Sequence, residues 1–575
     1  MWRFLLVYVF CSFTLVRQSN GQANEYRLPR TTVPENYDLR FEFQDFNDID
    51  NLTFSGVANI TIVVMEMTDV VTLNLRDLNV TEVTVAFTDN QYRLLPVEGW
   101  MYLTNDERFE IYLSRTIPMF RRLRVSINYI GNIRKDMTGL YLSSYEEQNT
   151  TKWFIVTQFE ATYARRAFPC YDEPAFKAEF NISVVKQSHQ IALSNMPIRH
   201  TESGLNQTET VYFIQTPPMS TYLVAIYVGE FVPSNNPKYD SPPIMVYTHE
   251  ELSDQTEYIR NEAPKHLRIL EDYTRLPYML PKMDLLAIPN LSFGAMENWG
   301  INTYEENFLL LSNESKARMK MRSSIIVQHE FTHQWFGNLV TCQWWDYVWL
   351  NEGFAQYFQY FATGMVRTSW SVEEMFVVEA FQGALAYDQT PRHPITASVN
   401  TPEEIEDVFD YISYSKAASV LRMLKYLVTE NLFQLSLQDY LNKFSKNTAE
   451  PSDLFSSFDN VLFDKDYEIG NNLTVNEFMS NWTLQSGYPV LNITRNATTN
   501  TFLVTQSQFY LNKTAGNINE TAAWHIGLTY TTNTYRNFRS VTPAVWTNKT
   551  SASTVFPAPG HIDWYIFNIQ SIGKC

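Results

Sequence analysis

The sequence predicts a multidomain α+β protein: an all-β N-terminal domain, an α+β middle domain and a small β-sandwich at the end. The first observation is length, because 575 residues are too many for one hydrophobic core. The second is pattern, which changes along the chain from short alternating apolar runs to helical periods and back. An apolar content of 45% is typical of a globular chain.

The first residues, 1–23, have the form of a secretory signal peptide. Arg3 precedes an apolar run at residues 4–16, which is too short to span a bilayer comfortably. If this run stayed uncleaved, it would be a signal-anchor at the cell surface. Sequons such as those at Asn51 and Asn149 recur along the chain. Together these features predict a secreted, extracellular glycoprotein.

Three domains are predicted after this segment, with bounds 24–232, 233–487 and 488–575. The first carries alternating apolar runs typical of strands, and a stretch rich in Pro, Asn and Ser follows it. The second begins with a few strands and continues with helices, which predicts an α+β domain. Its helical periods cover residues 317–339, 350–362, 371–386, 414–430 and 435–444. Short alternating runs return in the third and predict the sandwich.

Charge and cysteine content exclude some classes. A net charge of −18 argues against nucleic-acid binding and against electrostatic attachment to anionic lipid. Outside the predicted signal segment, Cys170, Cys342 and Cys575 are an odd number, so no disulfide framework is implied. We interpret Cys342, which lies between candidate metal ligands, as a small buried residue.

Residues 327–354 contain the motif H-E-x-x-H followed by a glutamate. On a helix, His329 and His333 lie on one face and can bind one metal ion. Glu352 opens the next apolar run and can supply a third ligand. Two imidazoles and one carboxylate leave a fourth zinc position open for water, as in catalytic sites. The stretch predicts one Zn²⁺ per chain, with Glu330 as general base.

The chain resembles the M1 family of zinc aminopeptidases, the gluzincins. Besides the metal motif, the resemblance rests on residues 157–160, 165–174, 294–298 and 413–419, in the family's order and spacing. It extends from about residue 28 to residue 570 and is most similar to aminopeptidase N-like members of the insect type. It implies a saddle-shaped N-terminal β domain, a thermolysin-like catalytic domain and a small β-sandwich.

The resemblance also implies residue roles. Glu297 matches the residue that binds the free α-amine of a peptide, and Glu160 with Gln158 completes this pocket and lines the first subsite. Tyr414 matches the tyrosine that stabilises the tetrahedral intermediate. The other substrate-binding residues it implies are Gly294, Ala295, Met296 and Asn298. The implied substrates are peptides with a free N-terminus.

Three features depart from the family pattern. Tyr163 stands where an aspartate is common, and Asp346 lies one position away from the usual acid near Glu352. Because such acids orient metal ligands, we expect the zinc affinity to be altered. The family's C-terminal helical domain is absent from the sequence, which predicts a truncated chain with an open cleft. The C-terminus has no apolar tail to support membrane association.

Three hypotheses follow. The leading one is a secreted zinc aminopeptidase that uses Glu330 and Tyr414. The second is a non-catalytic or weakly active receptor or binding paralogue, which the missing domain favours. The third is another chemistry on the same scaffold, as in leukotriene-processing relatives, since a fold does not fix a function. The free-amine pocket implied for Glu160 and Glu297 favours peptides.

Overall fold

A computed structural model describes most of the chain. The described residues are 26–43, 52–88, 93–234, 242–312, 314–390, 392–511, 522–547, 549, 553–560 and 563–573. The predicted signal segment, Cys575 and several sequons lie outside them, and those predictions stay predictions. The predicted domain bounds likewise stay predictions, although the order of structure types along the chain matches them.

The N-terminal part is built on an eight-stranded sheet. Burial alternates along the strand Thr53–Val64, as expected for a strand with one face on the core. The sheet is antiparallel except where Thr32–Phe43 runs parallel to Glu179–Gln187. In spatial order its strands are Ile198–Ser203, Thr208–Phe213, Glu179–Gln187, Thr32–Phe43, Thr53–Val64, Arg122–Asn132, Leu78–Phe87 and Leu94–Leu95.

Two smaller sheets complete this part and lead to the site. The first contains Thr68–Asn74, Arg108–Ile117 and Val97–Leu103. The second contains Ile191–Ser194, Ile226–Gly229, Thr150–Gln158 and Gly139–Glu147. Glu160 follows the buried end of the strand Thr150–Gln158 by two residues. The N-terminal β region therefore delivers this carboxylate to its boundary with the next part of the chain.

The middle part begins with a five-stranded mixed sheet. Its strands in order are Val232–Pro233, Ile244–Thr248, Met283–Ile288, Ile301–Glu305 and Ala295–Met296. The strand Met283–Ile288 is buried at every position, as expected for a parallel strand covered on both faces. The short strand Ala295–Met296 lies at the sheet edge, antiparallel to Ile301–Glu305, so its residues are free to face a cavity.

Helices form the rest of this part. They are Glu257–Thr274, Glu306–Leu309, Ala317–His333, Trp349–Val366, Val372–Phe376, Gln382–Tyr387, Pro402–Asp407, Ala417–Val428, Glu430–Lys443, Pro451–Asp464 and Val475–Thr483. Val377–Phe381 and Ile412–Lys416 are π-helical turns. Thr341–Cys342 pairs in parallel with Thr448–Ala449. An α+β region after an all-β region confirms the predicted fold class.

Two predicted helices end earlier than their apolar periods. The period at 317–339 gives a helix that stops at His333, and Gly337 lies in the turn that follows, at φ +137°. A Cβ at Gly337 would lie 3.1 Å from His333 Nδ1, so glycine also makes room for that ring. The period at 414–430 begins in a π-helical turn and breaks at Thr429, whose φ is +76°. No glycine or proline marks that second break in the sequence.

The C-terminal part contains short antiparallel ladders, as the alternating runs predict. Pro489–Asn496, Thr501–Gln508 and Thr554–Pro557 form one sheet. Two further pairs join Ile526–Leu528 to Val545–Thr547 and Tyr530–Thr532 to Tyr565–Phe567. Within the described residues, no helix is long and apolar enough to cross a membrane.

Candidate metal and substrate site

The metal motif lies at the C-terminal end of the helix Ala317–His333. One turn apart on its inner face, His329 and His333 bring their Nε2 atoms to 3.1 Å from each other. Glu352 lies in the first turn of the next long helix, Trp349–Val366. Its Oε2 is 3.4 Å from each Nε2. The structure thus brings together the three predicted metal ligands.

The opposite nitrogens of both rings fix which tautomer each histidine adopts. Nδ1 of His329 lies 2.8 Å from Oε1 of Gln359, and Nδ1 of His333 lies 3.0 Å from the carbonyl oxygen of Phe336. Oxygen acceptors carry no proton, so each Nδ1–H donates, and each Nε2 offers its lone pair to a metal ion once it carries no proton. Three lone-pair atoms therefore face one point, an arrangement that requires a cation and fits zinc.

The charges at the site show how it behaves before metal binds. Burial raises the pKa of Glu352, but the His333 and His329 rings outweigh it and lower this pKa to about 2. Burial lowers the pKa of His329, so this ring is neutral. Burial also opposes a proton on His333, yet Glu297 and Glu352 raise its pKa to about 10. In the absence of metal, a proton on His333 therefore balances the negative charge of the neighbouring carboxylates, and a bound metal ion replaces this proton.

Zinc binding is expected to release this proton and to strengthen as pH rises. His333 is protonated below its pKa of about 10, and zinc must compete with the proton for Nε2. The apparent association constant should therefore increase about tenfold per pH unit between about pH 6 and pH 9. Calorimetry in buffers of different ionisation enthalpy measures both quantities. An affinity that does not change over this range would contradict the assignment.

Glu330 lies on the same helix between the two histidines. Its side chain is buried and lines the cavity beside the metal ligands. Burial raises its pKa well above the ordinary value; the His333 ring opposes this rise, and the charges of Glu297 and Glu352 add to it. A carboxylate with a raised pKa accepts a proton more readily and can later give it up, as a general base and acid must.

A second cluster of carboxylates lies next to the metal ligands. Carboxylate oxygens of Glu160, Glu297 and Glu352 lie within 4.8 Å of one another. Burial raises the pKa of Glu160 and of Glu297, and their neighbouring carboxylates contribute to the shift. Buried Oε1 atoms of both have no hydrogen-bond donor among the described residues. An ammonium group can donate to such a cluster and neutralise it.

The backbone around Glu297 is held by the metal-site helix and the turn after it. The carbonyl oxygen of Glu297 accepts from Nδ2 of Asn338 at 2.9 Å and from Nε2 of Gln334 at 3.4 Å. Gln158 donates to Sδ of Met296 at 3.3 Å, which leaves its buried Oε1 free toward the cavity. The edge strand and the N-terminal β region therefore meet at this wall of the site.

The predicted substrate-binding residues divide into two groups. Gln158, Glu160, Ala295, Met296 and Glu297 line the cavity. The other two, Gly294 and Asn298, are outside the lining and shape the strand ends instead. The carbonyl of Gly294 accepts from the N–H of Glu305, and that of Asn298 from the N–H of Ile301.

Tyr414 enters the site from the π-helical turn Ile412–Lys416. Its ring lies parallel to that of His329 with 6.1 Å between centroids, and it lines the same cavity as Glu352. Burial, and then the charge of Glu352, raises the pKa of Tyr414 well above the ordinary value. The phenol therefore keeps its proton at neutral pH and is a hydrogen-bond donor beside the metal ligands.

A buried ion pair holds the turn that carries Tyr414. Nζ of Lys416 lies 2.8 Å from the carboxylate of Asp388, and both side chains are fully buried. The same Nζ donates to the carbonyl of Gly487 at 2.8 Å. At the start of the turn, the carboxylate of Asp410 accepts from the N–H of Ile412 at 2.7 Å. These contacts fix the turn at both ends.

These side chains line a cavity of about 60 Å³ that opens to solvent. Sequence reasoning missed four of its lining residues: Ala161, Phe293, Glu406 and Phe409. Phe293 directly precedes the Gly-Ala-Met-Glu-Asn segment, which was the available signal for it. The other three stand in no metal or acid–base pattern, so only the fold brings them to the cavity.

Two residues that depart from the family pattern have contacts of their own. Oδ1 of Asp346 accepts from the N–H of Val399 at 2.7 Å. Gln359 and the Phe336 carbonyl, and not Asp346, accept from the two metal-site histidines, and the expected change in zinc affinity stays a prediction. Burial and the charge of Glu406 raise the pKa of Tyr163, which lies near that carboxylate. Cys170 and Cys342 are buried free thiols, as interpreted from the sequence.

The site combines two histidines on one helix, a glutamate from the next helix and an adjoining acidic pocket. This combination is typical of the metallopeptidases. The model of the peptidase family M1 domain matches residues 258–482. That of the peptidase M1 N-terminal domain matches residues 33–223. The chain belongs to the M1 family.

Curated relatives agree with this assignment. Aminopeptidase M1 of Arabidopsis thaliana is 38% identical over 81% of this chain and 52% of its own length. Glutamyl aminopeptidase of Bos taurus is 33% identical over 96% of this chain and 57% of its own. Aminopeptidase N of Plutella xylostella is 32% identical over 96% and 59%. The chain spans about half the length of the curated relatives it matches.

Proposed function

We propose that this protein is a zinc-dependent aminopeptidase that removes the N-terminal residue of peptides. The observation that carries the proposal is the adjacency of two sites that share Glu352. One consists of three lone-pair atoms that require a cation. The other consists of three carboxylates, of which Glu297 and Glu352 are buried and Glu160 is half-buried, and they require a donor of positive charge. A peptide with a free N-terminus offers its ammonium group one residue away from a carbonyl.

The proposed roles follow from the positions of the side chains. His329, His333 and Glu352 would hold Zn²⁺, which when bound supplies Lewis-acid polarisation of the scissile carbonyl and lowers the pKa of water. Glu330 accepts a proton from the attacking water and passes it to the leaving amine. Tyr414 donates a hydrogen bond to the oxyanion.

Selection of the N-terminus comes from Glu160 and Glu297. Hydrogen bonds from the α-ammonium group to these carboxylates place the first peptide bond near Glu330 and Tyr414. Peptides longer than two residues would extend away from the carboxylate cluster. The cut is therefore fixed one residue from the amine by charge, and not by the length of the peptide.

A free α-amine is expected to be essential. The zinc-loaded protein should release 7-amino-4-methylcoumarin from leucyl-aminomethylcoumarin and show at least about 100-fold lower kcat/KM on the N-acetylated compound, because burying two unpaired carboxylates is costly. Fluorescence measures both rates. Equal hydrolysis of the two compounds would contradict an aminopeptidase. No hydrolysis of either by protein with stoichiometric zinc would favour the non-catalytic paralogue.

We also propose that the protein enters the secretory pathway. The charged and apolar N-terminal segment supports this, together with sequons on exposed turns such as those at Asn149 and Asn206. Other sequons are poor glycan acceptors, because the amide of Asn481 donates to the carbonyl of Ala523 and that of Asn181 donates to Asp38. Mass spectrometry of the expressed protein measures which asparagines carry glycans.

A further inference from the structure

One carboxylate in the cavity has no part in the roles above. Glu406 lines the same cavity as Glu160, on the helix Pro402–Asp407. Its charge raises the pKa of Glu160, after burial and the charges of Glu297 and Glu352. It therefore lies close to the carboxylates proposed to hold the α-ammonium group. The side chain of a peptide's first residue begins one bond from that group.

The carboxylate of Glu406 lies in the cavity and is not neutralised. The N–H of Ala161 and the hydroxyl of Tyr163 face it closely enough to oppose the rise in its pKa that burial causes. Its Oε1 is buried and has no hydrogen-bond partner among the described residues. This oxygen is thus left for a ligand.

No cation of the described residues forms an ion pair with Glu406. Arg166 is the arginine whose charge acts on it, but Nη1 of Arg166 donates to the hydroxyl of Thr138 at 3.2 Å. Arg166 also lies 3.8 Å from both Asp77 and Asp136, and 5.0 Å from the ring centroid of Tyr163. Its charge is therefore shared with other acids, and Glu406 stays a surplus negative charge.

The neighbouring wall suits the stem of a long side chain. Phe293, Met296 and Phe409 line the cavity together with Glu406. Phe293 is 45% exposed, so this wall opens toward solvent and admits a side chain longer than the closed part of the cavity accommodates. Lysine and arginine have such a shape, since apolar methylene stems carry a cationic end.

We infer that Glu406, positioned by Tyr163, makes the cavity select peptides whose N-terminal residue is lysine or arginine. The inference rests on the proposed function for the location of the α-ammonium group. The ammonium or guanidinium end of the side chain binds the free oxygen of Glu406, and the aromatic wall covers the stem. The surplus negative charge disfavours an N-terminal glutamate or aspartate.

The test compares lysyl- and norleucyl-aminomethylcoumarin, since norleucine has the same stem and lacks the ammonium group. The ratio of their kcat/KM values should exceed one for the natural protein. In Glu406→Gln the ratio should fall about 10- to 100-fold, mainly through KM, as for loss of a hydrogen bond to a charged group. Tyr163→Phe should lower it severalfold. Glu403→Gln, an exposed carboxylate of the same helix, is the matched control and should leave the ratio unchanged.

A ratio that Glu406→Gln does not change, or equal turnover of glutamyl- and lysyl-aminomethylcoumarin by the natural protein, would overturn the inference. Calorimetry with L-lysinamide and L-norleucinamide tests it without turnover. If lysinamide binds better and Glu406→Gln removes the preference, the inference stands even when hydrolysis fails, and the proposed function alone falls. If Glu406→Gln does not fold, Tyr163→Phe carries the same comparison.

Discussion

Glu330→Gln is expected to lower kcat by about 10²- to 10⁴-fold, the usual contribution of a positioned general base. Glutamine has nearly the same shape as glutamate but cannot accept the proton of the attacking water at neutral pH. Because Glu330 is not one of the three groups that face the cation, zinc content should stay close to one per chain. Turnover of leucyl-aminomethylcoumarin and elemental analysis of the same sample measure the two quantities.

The matched control is Glu374→Gln, which changes an exposed carboxylate of the helix Val372–Phe376. It should have the rate and zinc content of the natural protein. A zinc-loaded Glu330→Gln protein with undiminished turnover would rule out Glu330 as the proton acceptor. Loss of zinc with loss of rate would instead show that Glu330 supports the metal ligands.

Tyr414→Phe is expected to lower kcat by about 10²- to 10³-fold, as removal of one oxyanion donor does. The substitution deletes only the hydroxyl, which keeps its proton because burial and then the charge of Glu352 raise the pKa of Tyr414. The ring contact with His329 is preserved, so zinc content and KM should change little. Steady-state kinetics with the same substrate gives kcat and KM separately.

Tyr411→Phe provides the comparison for this variant, because Tyr411 is half exposed and lies on the same segment. Its kinetics should match those of the natural protein. If Tyr414→Phe raised KM and left kcat unchanged, the hydroxyl would bind the substrate before reaction and would not stabilise the oxyanion.

The metal ligands could be predicted from the sequence because a helix fixes their geometry. His329 and His333 are four residues apart, and this spacing alone places two imidazoles on one face. Spacing cannot reveal what holds those rings. The oxygens of Gln359 and Phe336 that fix the tautomers lie at no characteristic distance along the chain. The need for glycine at position 337 likewise becomes evident only from the structure, where the ring of His333 lies close to it.

The acidic pocket could be predicted only from the family resemblance, and the neighbouring wall of the cavity became evident only from the structure. Glu160 and Glu297 are far apart in sequence and carry no metal or helix spacing that would unite them. Glu406 reaches the cavity because the helix Pro402–Asp407 packs beside it. Tyr163 departs from the motif, and its position near Glu406, whose pKa its hydroxyl lowers, offers a physical reason for it. Long-range packing decides all of these placements.

The link from Lys416 to the Gly487 carbonyl ties the turn of Tyr414 to the last residue of the predicted middle domain. Gly487 lies two residues before the first strand of the C-terminal β region, Pro489–Asn496. We therefore expect that β region to resist an outward movement of the Tyr414 turn when a peptide enters. A backbone cleavage or an insertion at this junction is expected to displace the Tyr414 turn through Lys416 and so to weaken stabilisation of the oxyanion, although no residue at the junction contacts a substrate.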